Sequence, residues 1–252
     1  MRRVVVTGMG MLAPFGRGVD YNWENIVAGK SAIRRIDEDL ELYDVPVKIA
    51  GKVPMGKEAH RFDPDTVMEP KEQRRVDKFI LFGMAAGIDA MEDSGWKPES
   101  EEEQYRAGVM MGSGIGGLQT IYENSVIINE NKSTHRVSPF FIPSCLINMI
   151  SGNLSIRFGL KGPNHACVTA CSTGTHAIGD AAAMIVRGDA DLMLAGGAES
   201  AVNILGLAGF ARMKAVTADF NDCPEKASRP WDKARSCLLY TSDAADEARS
   251  VD

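Results

Sequence analysis

Cys167-Val168-Thr169-Ala170-Cys171-Ser172-Thr173-Gly174 is the stretch of sequence that decides the predicted fold. Its first four residues have the apolar and β-branched character of a short strand. From Ser172 to Arg187 the pattern is helical, and apart from one acid, one histidine and small hydroxyls the helix is apolar on every side. Such a helix has no face suited to water, so we expect it to be buried between two sheets. Cys171 then falls at a strand-to-helix junction.

Strand and helix patterns alternate on both sides of this stretch. The other predicted strands run from Arg3 to Thr7, from Val47 to Val53, from Ala107 to Met111 and from Asp191 to Ala195. The other main helices are predicted from about Val76 to Ser94, ended by Gly95, and from Pro143 to near Gly159. This alternation favours an α/β fold with parallel strands.

The position predicted for Cys171 suits acyl transfer. A sulfur at the start of a helix lies at the positive end of the helix dipole, which favours the thiolate. The unpaired N–H groups of the first helical turn point toward the same place, and one of them can donate to the oxyanion that forms when the sulfur attacks a thioester. The alternative is a buried small residue without chemistry, which is what most free cysteines are.

The remaining cysteines indicate neither a disulfide framework nor a metal site. The chain has five, at positions 145, 167, 171, 223 and 237, an odd number without a CxxC spacing. Cys145 is predicted on a core helix and Cys167 inside a strand, while Cys223 lies in a polar loop without a visible activator. We therefore expect free thiols in a reducing compartment and no bound metal.

Composition excludes several classes of protein. The chain has 252 residues, of which 44% are hydrophobic and 25% charged, as in ordinary globular domains. The longest apolar run, 140–150, is interrupted by polar residues and is shorter than the roughly 18 to 20 residues that cross a bilayer. The start does not resemble a signal peptide, because a glycine and a turn follow its short apolar run. A net charge of -6 gives no general attraction to nucleic acid or membrane, so we expect a cytoplasmic protein.

The end of the chain differs in character from the rest. From Cys237 onward the sequence looks like the translation of a transposase-end sequencing adaptor. We therefore interpret residues 1–235 as the natural domain and 236–252 as a non-native tail. A divergent polar C-terminus is the plain alternative.

Several segments together resemble the β-ketoacyl-acyl-carrier-protein synthases, most closely the type II synthases of bacterial fatty acid synthesis. Beside the Cys171 segment, they occur in the order that this family shows: Arg3 to Gly10, Gly112-Ser113-Gly114-Ile115-Gly116-Gly117, Ser138 to Ser144, Gly188 to Asp191, Gly196-Gly197-Ala198-Glu199 and Ser228-Arg229-Pro230-Trp231-Asp232. The resemblance covers residues 1–235. It implies a thiolase-like layered α-β-α-β-α fold, of which this chain holds the first half only.

The resemblance also implies a reaction and an assembly. In the family, a fatty acyl group moves from acyl-carrier protein to the cysteine that matches Cys171, and malonyl-carrier protein then loses carbon dioxide and extends the chain by two carbons. The family enzymes act as homodimers without a cofactor. Their two catalytic histidines and their lysine belong to the second half, and none of the four histidines here, His60, His135, His165 and His176, matches those positions. We therefore expect this chain alone to dissolve poorly and to catalyse no condensation.

Two further sets of residues are carried over by position. Ile115 and Phe141 match residues that line the family's acyl channel, Phe141 reaching the neighbouring subunit; as plain packing residues they would look the same. The basic residues Lys71, Arg74, Arg75, Arg136 and Lys214 resemble the carrier-docking surface. The first three are predicted to open the long helix, where cations are unfavourable and so suggest a role other than stability. A solvated charged face is the alternative.

Other functions are weighed against the synthase. Gly8-Met9-Gly10-Met11-Leu12-Ala13 fits the dinucleotide pattern GxGxxA, but Pro14 and Gly16 break the helix that should follow, so we expect no nicotinamide cofactor. His176 lies about 140° round the helix from Cys171, so we expect a satisfied core histidine rather than a cysteine–histidine pair. A non-catalytic carrier-binding homologue, a polyketide ketosynthase and a type I synthase stay open. Acyl chain length is not predicted.

Overall fold

The computed structural model describes residues 2–36 and 43–236 and divides the chain into two compact units. The first comprises Met1–Trp23 and Val53–Ala201, and the second Glu24–Lys52 and Val202–Asp252. Apart from Ser236, the predicted tail lies outside the described residues.

The α-helices are Val19–Val27, Pro70–Gln73, Lys78–Ser94, Glu101–Arg106, Leu118–Asn131, Phe141–Cys145, Met149–Phe158, Thr173–Arg187 and Ile204–Arg212, and the short 3-10 helices are Pro64–Thr66, Ala170–Ser172 and Pro224–Lys226. The strands are Leu12–Ala13, Gly16–Arg17, Arg34–Arg35, Ile49–Ala50, Ala107–Gly112, Asn164–His165 and Leu192–Gly197.

The main sheet of the first unit is parallel, as predicted. The strand Ala107–Gly112 lies in its centre and pairs with Asn164–His165 on one side and with Leu192–Gly197 on the other. In the longer pairing, Ala107 lies opposite Leu192 and Gly112 opposite Gly197. The two long strands therefore end at the same edge of the sheet.

The central strand sends alternate side chains into two different cores, as a strand buried on both faces must. Val109 and Met111 point to one face and belong to the largest core cluster, together with Ile80 and Ile88 of helix Lys78–Ser94 and Leu154 of helix Met149–Phe158. The intervening Met110 points to the other face, where it packs with Ala177 and Ala181 of helix Thr173–Arg187. The unit is a three-layer sandwich of helix, sheet and helix.

Helix Thr173–Arg187 buries one face only. Ala177 and Ala181 lie against the sheet, and Gly174 approaches it so closely that a Cβ on Gly197 would lie 3.1 Å from the Gly174 Cα. On the outward face, Ile178 is 55% exposed. The prediction that this helix is enclosed on every side is wrong for this chain, because within the described residues a single sheet covers it.

The long helix Lys78–Ser94 begins two residues after the predicted start and ends before Gly95 as predicted. Asp77 precedes it in extended conformation, and the Asp77 carboxylate accepts a hydrogen bond from the Phe79 N–H, which satisfies one of the open amides of the first turn. Gly95 follows it with φ of 63°, a left-handed conformation that glycine adopts without steric cost. Nine of its 17 residues are buried, so it is a core element of the unit.

The N-terminal segment does not form the predicted buried strand from Arg3 to Thr7. Val5 and Val6 are 63% and 76% exposed, and an apolar cavity of about 500 Å³ is lined both by this segment and by the edge strand Leu192–Gly197. Its anchors lie instead on helix Lys78–Ser94: Gly8 and Gly10 fit where a Cβ would collide with backbone oxygens of that helix, and the Met9 N–H donates to Asp93. A strand pattern thus occurs without strand pairing.

Two other sequence predictions are corrected. The strand expected from Cys167 to Ala170 is the shorter Asn164–His165, and Ala170 cannot extend a strand because its φ is 50°. The helix expected from Pro143 is two helices, Phe141–Cys145 and Met149–Phe158, the second of which ends at Gly159 as predicted.

The second unit has its own small core. Strand Arg34–Arg35 pairs antiparallel with Ile49–Ala50, the part of the predicted strand from Val47 to Val53 that forms. Its hydrophobic cluster consists of buried Ile36, Val45 and Leu207 with the alanines 50, 208 and 211 and Ile204 around them. No helix in the described part of the chain is long and apolar enough to cross a membrane.

Candidate active site

Cys171 lies in the 3-10 turn Ala170–Ser172, which leads directly into helix Thr173–Arg187. We call these three residues the nucleophile turn. Cys171 is exposed, and the Ser172 side chain does not cap the helix, because its hydroxyl donates backward to the Thr169 carbonyl at 2.6 Å. The predicted position at a helix start is confirmed, although the preceding strand, Asn164–His165, ends well before Cys171 rather than at Ala170.

The backbone of the nucleophile turn is strained and held by side chains. Ala170 has φ of 50°, a left-handed conformation that costs a residue with a Cβ about 1–2 kcal/mol. The Thr173 hydroxyl donates to the Ala170 carbonyl and accepts from the Thr169 N–H, each at 2.8 Å. Thr173 is only 3% exposed, so these bonds are protected from water. Strain of this kind, over-determined by neighbouring bonds, is common at functional sites.

His176 lies on the same helix as predicted but is exposed rather than in the core. Its Nδ1 lies 2.8 Å from the Thr169 hydroxyl oxygen, within hydrogen-bond distance. The expectation of a partnered histidine is confirmed, and the expectation of burial is wrong because the outward face of the helix is open in this chain.

The glycine-rich turn, residues 112–117, lies beside the nucleophile turn at the carboxyl edge of the sheet. Glu199 links the two long strands there: one carboxylate oxygen accepts from the Ser113 hydroxyl at 3.0 Å and the other from the Ile115 N–H at 2.9 Å. A Cβ on Gly114 would lie 3.1 Å from the Ala170 carbonyl oxygen. The absence of a side chain at Gly114 therefore allows the two turns to lie in close contact.

The two residues predicted to line an acyl channel lie near this turn. Ile115 is 40% exposed, and Phe141, partly buried, is the first residue of helix Phe141–Cys145. The last residue of that helix contacts the glycine-rich turn, because the Gly117 N–H donates to the Cys145 carbonyl at 3.4 Å. The structure thus connects the Ile115 turn with both the Phe141 helix and the nucleophile turn.

The other described cysteines lie in less accessible surroundings than Cys171. Cys145 and Cys167 are partly buried, and burial raises the pKa of both thiols, which favours the protonated form. Cys223 is also partly buried and lies in the second unit, just before the short helix Pro224–Lys226. Of these four thiols, only Cys171 is exposed.

The predicted docking residues divide between the two units. Lys71 lies in the short helix Pro70–Gln73 and Arg74 follows it, so the basic cluster does not open the long helix, and the unfavourable dipole inferred for it does not arise. Lys71, Arg74 and Arg136 are exposed. Arg75 is bound within the unit: its guanidinium lies 4.6 Å above the Phe140 ring and pairs with Glu72 at 2.9 Å. Lys214 is exposed and belongs to the second unit.

The glycine-rich segments are not arranged for a dinucleotide. The hairpin Leu12–Ala13 and Gly16–Arg17, rather than a helix, follows Gly8 and Gly10. The Ile115 and Gly116 N–H groups are bonded to Glu199 and Ser113, and the Met9 N–H is bonded to Asp93. Carboxylates at both segments would repel a pyrophosphate. Among the described residues, no cluster of three or more histidine, cysteine or acidic side chains could hold a metal ion.

Residues 1–236 match the model of the β-ketoacyl synthase N-terminal domain, and the chain therefore belongs to the β-ketoacyl synthase family. It is 52% identical over 245 residues to the 3-oxoacyl-acyl-carrier-protein synthase 2 of Rhizobium meliloti, covering 97% of this chain and 58% of the relative. It is 51% identical over 243 residues to the synthase 2 of Vibrio cholerae, covering 96% of this chain and 56% of the relative. The chain thus spans little more than half the length of these relatives.

A solved structure shows the same fold. A β-ketoacyl synthase from Burkholderia phymatum superposes with a TM-score of 0.77 at 28% identity, covering 94% of this chain and 56% of the other. The predicted thiolase-like α/β fold class is thereby confirmed.

Sequence reasoning identified the surroundings of the site but missed two of the residues that shape it. Glu199 stood in a recognised motif without a role, although an acid just after a strand of a parallel sheet lies at the edge where sites form. Thr173 looked like one more small hydroxyl in an apolar helix. Its function as a brace for Ala170 depends on a turn geometry that periodicity does not reveal.

Proposed function

We propose that this chain supplies the nucleophile half of a β-ketoacyl-acyl-carrier-protein synthase of fatty acid synthesis. The Cys171 thiolate attacks the thioester carbonyl of an acyl-carrier protein; the carrier's thiolate leaves and takes up a proton, and the acyl group stays on Cys171. Malonyl-carrier protein then loses carbon dioxide, and its α-carbon attacks the acyl-enzyme carbonyl and releases the Cys171 sulfur. The product is two carbons longer and stays on the carrier.

The position of Cys171 carries this proposal. It is the exposed cysteine among the described ones, it stands in a braced turn at the start of a 15-residue helix, and that turn lies beside the glycine-rich turn at the carboxyl edge of a parallel sheet. A nucleophile needs access and a fixed backbone, and the exposed cysteine in the braced turn has both. The names of the relatives at about half identity support the same reaction.

Decarboxylation requires groups that we assign to the other half of such a synthase. The family resemblance implies two histidines and a lysine there, and His176, the histidine beside the nucleophile turn, is bonded to Thr169. We propose that the 252-residue chain forms at most the acyl-enzyme and does not condense.

The partner proposed for the exposed basic residues is an acyl-carrier protein. Carrier proteins are acidic, and Lys71, Arg74 and Arg136 present cations to solvent in the unit that holds Cys171. We further propose that the complete synthase is a cytoplasmic homodimer that needs no cofactor. The curated relatives support the carrier through their names.

Trapping of the acyl-enzyme tests the proposal. The gene from which this sequence derives would be read beyond the codon for Arg235, and its complete product incubated with acyl-carrier protein. Intact-mass and peptide spectrometry should place the acyl group on Cys171, and malonyl-carrier protein should discharge it. Cys171→Ala should lose both signals, whereas Cys223→Ala, a matched cysteine in the second unit, should keep them. Acylation of the Cys171→Ala protein at wild-type rate would refute the assignment.

Alkylation rates in the same proteins distinguish a catalytic synthase from a non-catalytic carrier-binding homologue. Iodoacetamide should alkylate Cys171 faster than Cys223, because Cys171 is exposed and adjoins a helix start. Equal rates, together with carrier binding and no acyl-enzyme, would favour a carrier-binding protein without catalysis.

A further inference from the structure

We infer that Glu199 is a positioning residue that holds the glycine-rich turn against the nucleophile turn and thereby sets the acyl-chain side of the site. This inference rests on the proposed function. Glu199 makes its contacts through the carboxylate rather than by packing, and its side chain is exposed. Nothing in the reaction as proposed requires an acid at this position.

One carboxylate holds three polar groups of the glycine-rich turn, two directly and one through Ser113. One oxygen accepts from the Ile115 N–H at 2.9 Å and the other from the Ser113 hydroxyl at 3.0 Å. The Ser113 oxygen in turn accepts from the Gly116 N–H at 3.1 Å. Two consecutive backbone amides are therefore held by Glu199, one directly and one through Ser113, which is 1% exposed.

The glycine-rich turn also lies against the residue that precedes Cys171. A Cβ on Gly114 would lie 3.1 Å from the Glu199 carboxylate and 3.1 Å from the Ala170 carbonyl oxygen. Gly114 is thus enclosed between the carboxylate and the residue that precedes Cys171. A shift of Glu199 would free the turn to move relative to the sulfur.

The chemistry of the side chain explains why a carboxylate is needed. Both of its oxygens only accept hydrogen bonds, which matches two donors that come from one turn. Glutamine has the same shape but a single acceptor oxygen, so it would leave either the Ile115 amide or the Ser113 hydroxyl without its acceptor. The two ends of the link are fixed by the sheet, because Ser113 directly follows the central strand and Glu199 lies two residues beyond the parallel edge strand.

Loss of the Glu199 carboxylate should slow acylation of Cys171 to an extent that depends on the length of the acyl group. The Ile115 N–H is anchored by Glu199 while its side chain is 40% exposed toward solvent, so loss of the anchor would misplace that side chain. Ile115 is proposed to contact the acyl chain beyond the thioester. Acylation by a long acyl group should therefore suffer more than acylation by a short one, and a misplacement of about 1 Å can cost up to about 100-fold in rate.

Single-turnover acylation of Cys171 in the complete synthase tests the inference. Butyryl- and dodecanoyl-carrier protein would be the two substrates, with Glu199→Gln as the variant and Glu130→Gln, an exposed glutamate of helix Leu118–Asn131, as the matched control. We expect Glu199→Gln to slow dodecanoyl transfer roughly tenfold or more and butyryl transfer less than about threefold. The control should match wild type for both.

The outcomes separate the two hypotheses. If wild type is not acylated at Cys171, the proposed function fails. If wild type is acylated and Glu199→Gln matches it, or slows both substrates by the same factor, the positioning role is overturned. Should Glu199→Gln not fold, Ser113→Ala is the second variant. It removes the hydrogen bond between the Ser113 hydroxyl and Glu199 and leaves the bond from the Ile115 N–H to Glu199. It should give a smaller loss with the same preference for the short chain, and an equal loss for both chains would again overturn the inference.

Discussion

The Thr173 hydroxyl donates a hydrogen bond to the Ala170 carbonyl at 2.8 Å and thereby closes the nucleophile turn across Cys171. The same hydroxyl accepts from the Thr169 N–H, so one side chain bonds the residues on both sides of the strained peptide. Ala170 keeps its left-handed φ of 50° because these bonds offset a cost of about 1–2 kcal/mol. The position of the Cys171 sulfur depends on this arrangement.

Replacement of Thr173 by valine should therefore weaken the fold and the site together. Thr173→Val keeps the shape but leaves the Thr169 N–H without its acceptor and the Ala170 carbonyl with only the bond from the Thr173 N–H, which should lower the free energy of unfolding by about 1–3 kcal/mol. Thr173→Ser retains the hydroxyl and should lose much less. Urea denaturation measures the stability, and the alkylation rate of Cys171 should fall in the valine variant only. Equal stability of the valine and serine variants would contradict the role of the hydroxyl.

Substitution at Ala170 tests the strain itself. Ala170→Gly removes the left-handed cost of about 1–2 kcal/mol but raises the entropy of the unfolded chain, which costs about 0.4–1 kcal/mol, so stability should change little or rise slightly. Ala170→Val places a β-branched residue in the same conformation and should destabilise by more than about 1 kcal/mol. The two variants are compared by chemical denaturation. Greater destabilisation by glycine than by valine would show that Ala170 is not held at positive φ.

The sequence predicted the elements whose pattern reflects local structure. Helix Lys78–Ser94 ends at Gly95 as predicted, and its N-terminal cap, Asp77, lies within two residues of the predicted start at about Val76. Strand Ala107–Gly112 is buried throughout, and a continuous apolar run is the signature of such a strand. Cys171 lies at a helix start as predicted, because the helical pattern that begins at Ser172 marks the true helix to within one residue.

Whether a helix or strand is buried depends on the elements that pack against it, and the hydrophobic pattern of the sequence does not identify those elements. Helix Thr173–Arg187 is apolar enough for enclosure, yet Ile178 is 55% exposed because one sheet packs on one face only. Val5 and Val6 have strand character, but a strand exists only where its backbone groups pair, and these residues do not pair. The Glu199 link was missed because it joins residues 84 and 86 positions apart in the chain.

Asp77 should be the most costly carboxylate to remove from the first unit. It is 4% exposed and accepts hydrogen bonds from the Phe79 N–H and from both the N–H and the hydroxyl of Thr120, so it caps two helices at once. Asp77→Ala should lower the free energy of unfolding by about 2–4 kcal/mol, since each cap contributes about 1 kcal/mol and the Thr120 hydroxyl loses its partner. Asp93→Ala, which removes a single bond to the Met9 N–H, is the matched control and should cost clearly less. Similar losses in the two variants would contradict the double cap.

Asp191 should make stability depend on pH in acid. Hydrogen bonds from Arg106, which has the larger effect, and from Arg2 hold the pKa of the Asp191 carboxyl well below the usual value of about 3.9. Because the folded pKa is depressed, the stabilisation is present above about pH 4 and is lost as the pH falls below that value toward the folded pKa. Wild type and Asp191→Asn should thus differ most at pH 7, and the difference measured by urea denaturation should shrink progressively below about pH 4.

Because the ion pairs of Asp191 lie at the protein surface, their contribution to stability is limited and can be tested with salt and with a control variant. The Asp191 side chain is 55% exposed, so added salt should reduce the difference at pH 7. Asp222→Asn, at an exposed aspartate of the second unit, should show no such pH-dependent difference. A constant gap between wild type and Asp191→Asn from pH 7 to pH 3 would argue against the ion pairs.

Arg75 should behave differently from the other basic residues proposed to dock a carrier protein. Its guanidinium lies 4.6 Å above the ring of Phe140 and pairs with Glu72, so it stabilises the segment that carries Phe141, whereas Lys71 and Arg74 are exposed. Lys71→Ala and Arg74→Ala should weaken carrier binding, more at low than at high ionic strength, and leave the unfolding free energy unchanged within about 0.5 kcal/mol. Arg75→Ala should weaken carrier binding and also lower the free energy of unfolding by about 0.5–1 kcal/mol, because the cation–π contact with Phe140 is lost.

A lysine at this position separates charge from stacking. Arg75→Lys keeps the cation but lacks the planar guanidinium, so it should retain carrier binding better than alanine while recovering only part of the stability. Binding is measured by titration of the complete synthase with carrier protein at two salt concentrations, and stability by urea denaturation of the same samples. If Arg75→Ala changes binding alone, to the same extent as Arg74→Ala, then Arg75 acts as a simple surface cation and its contact with Phe140 contributes nothing to the fold.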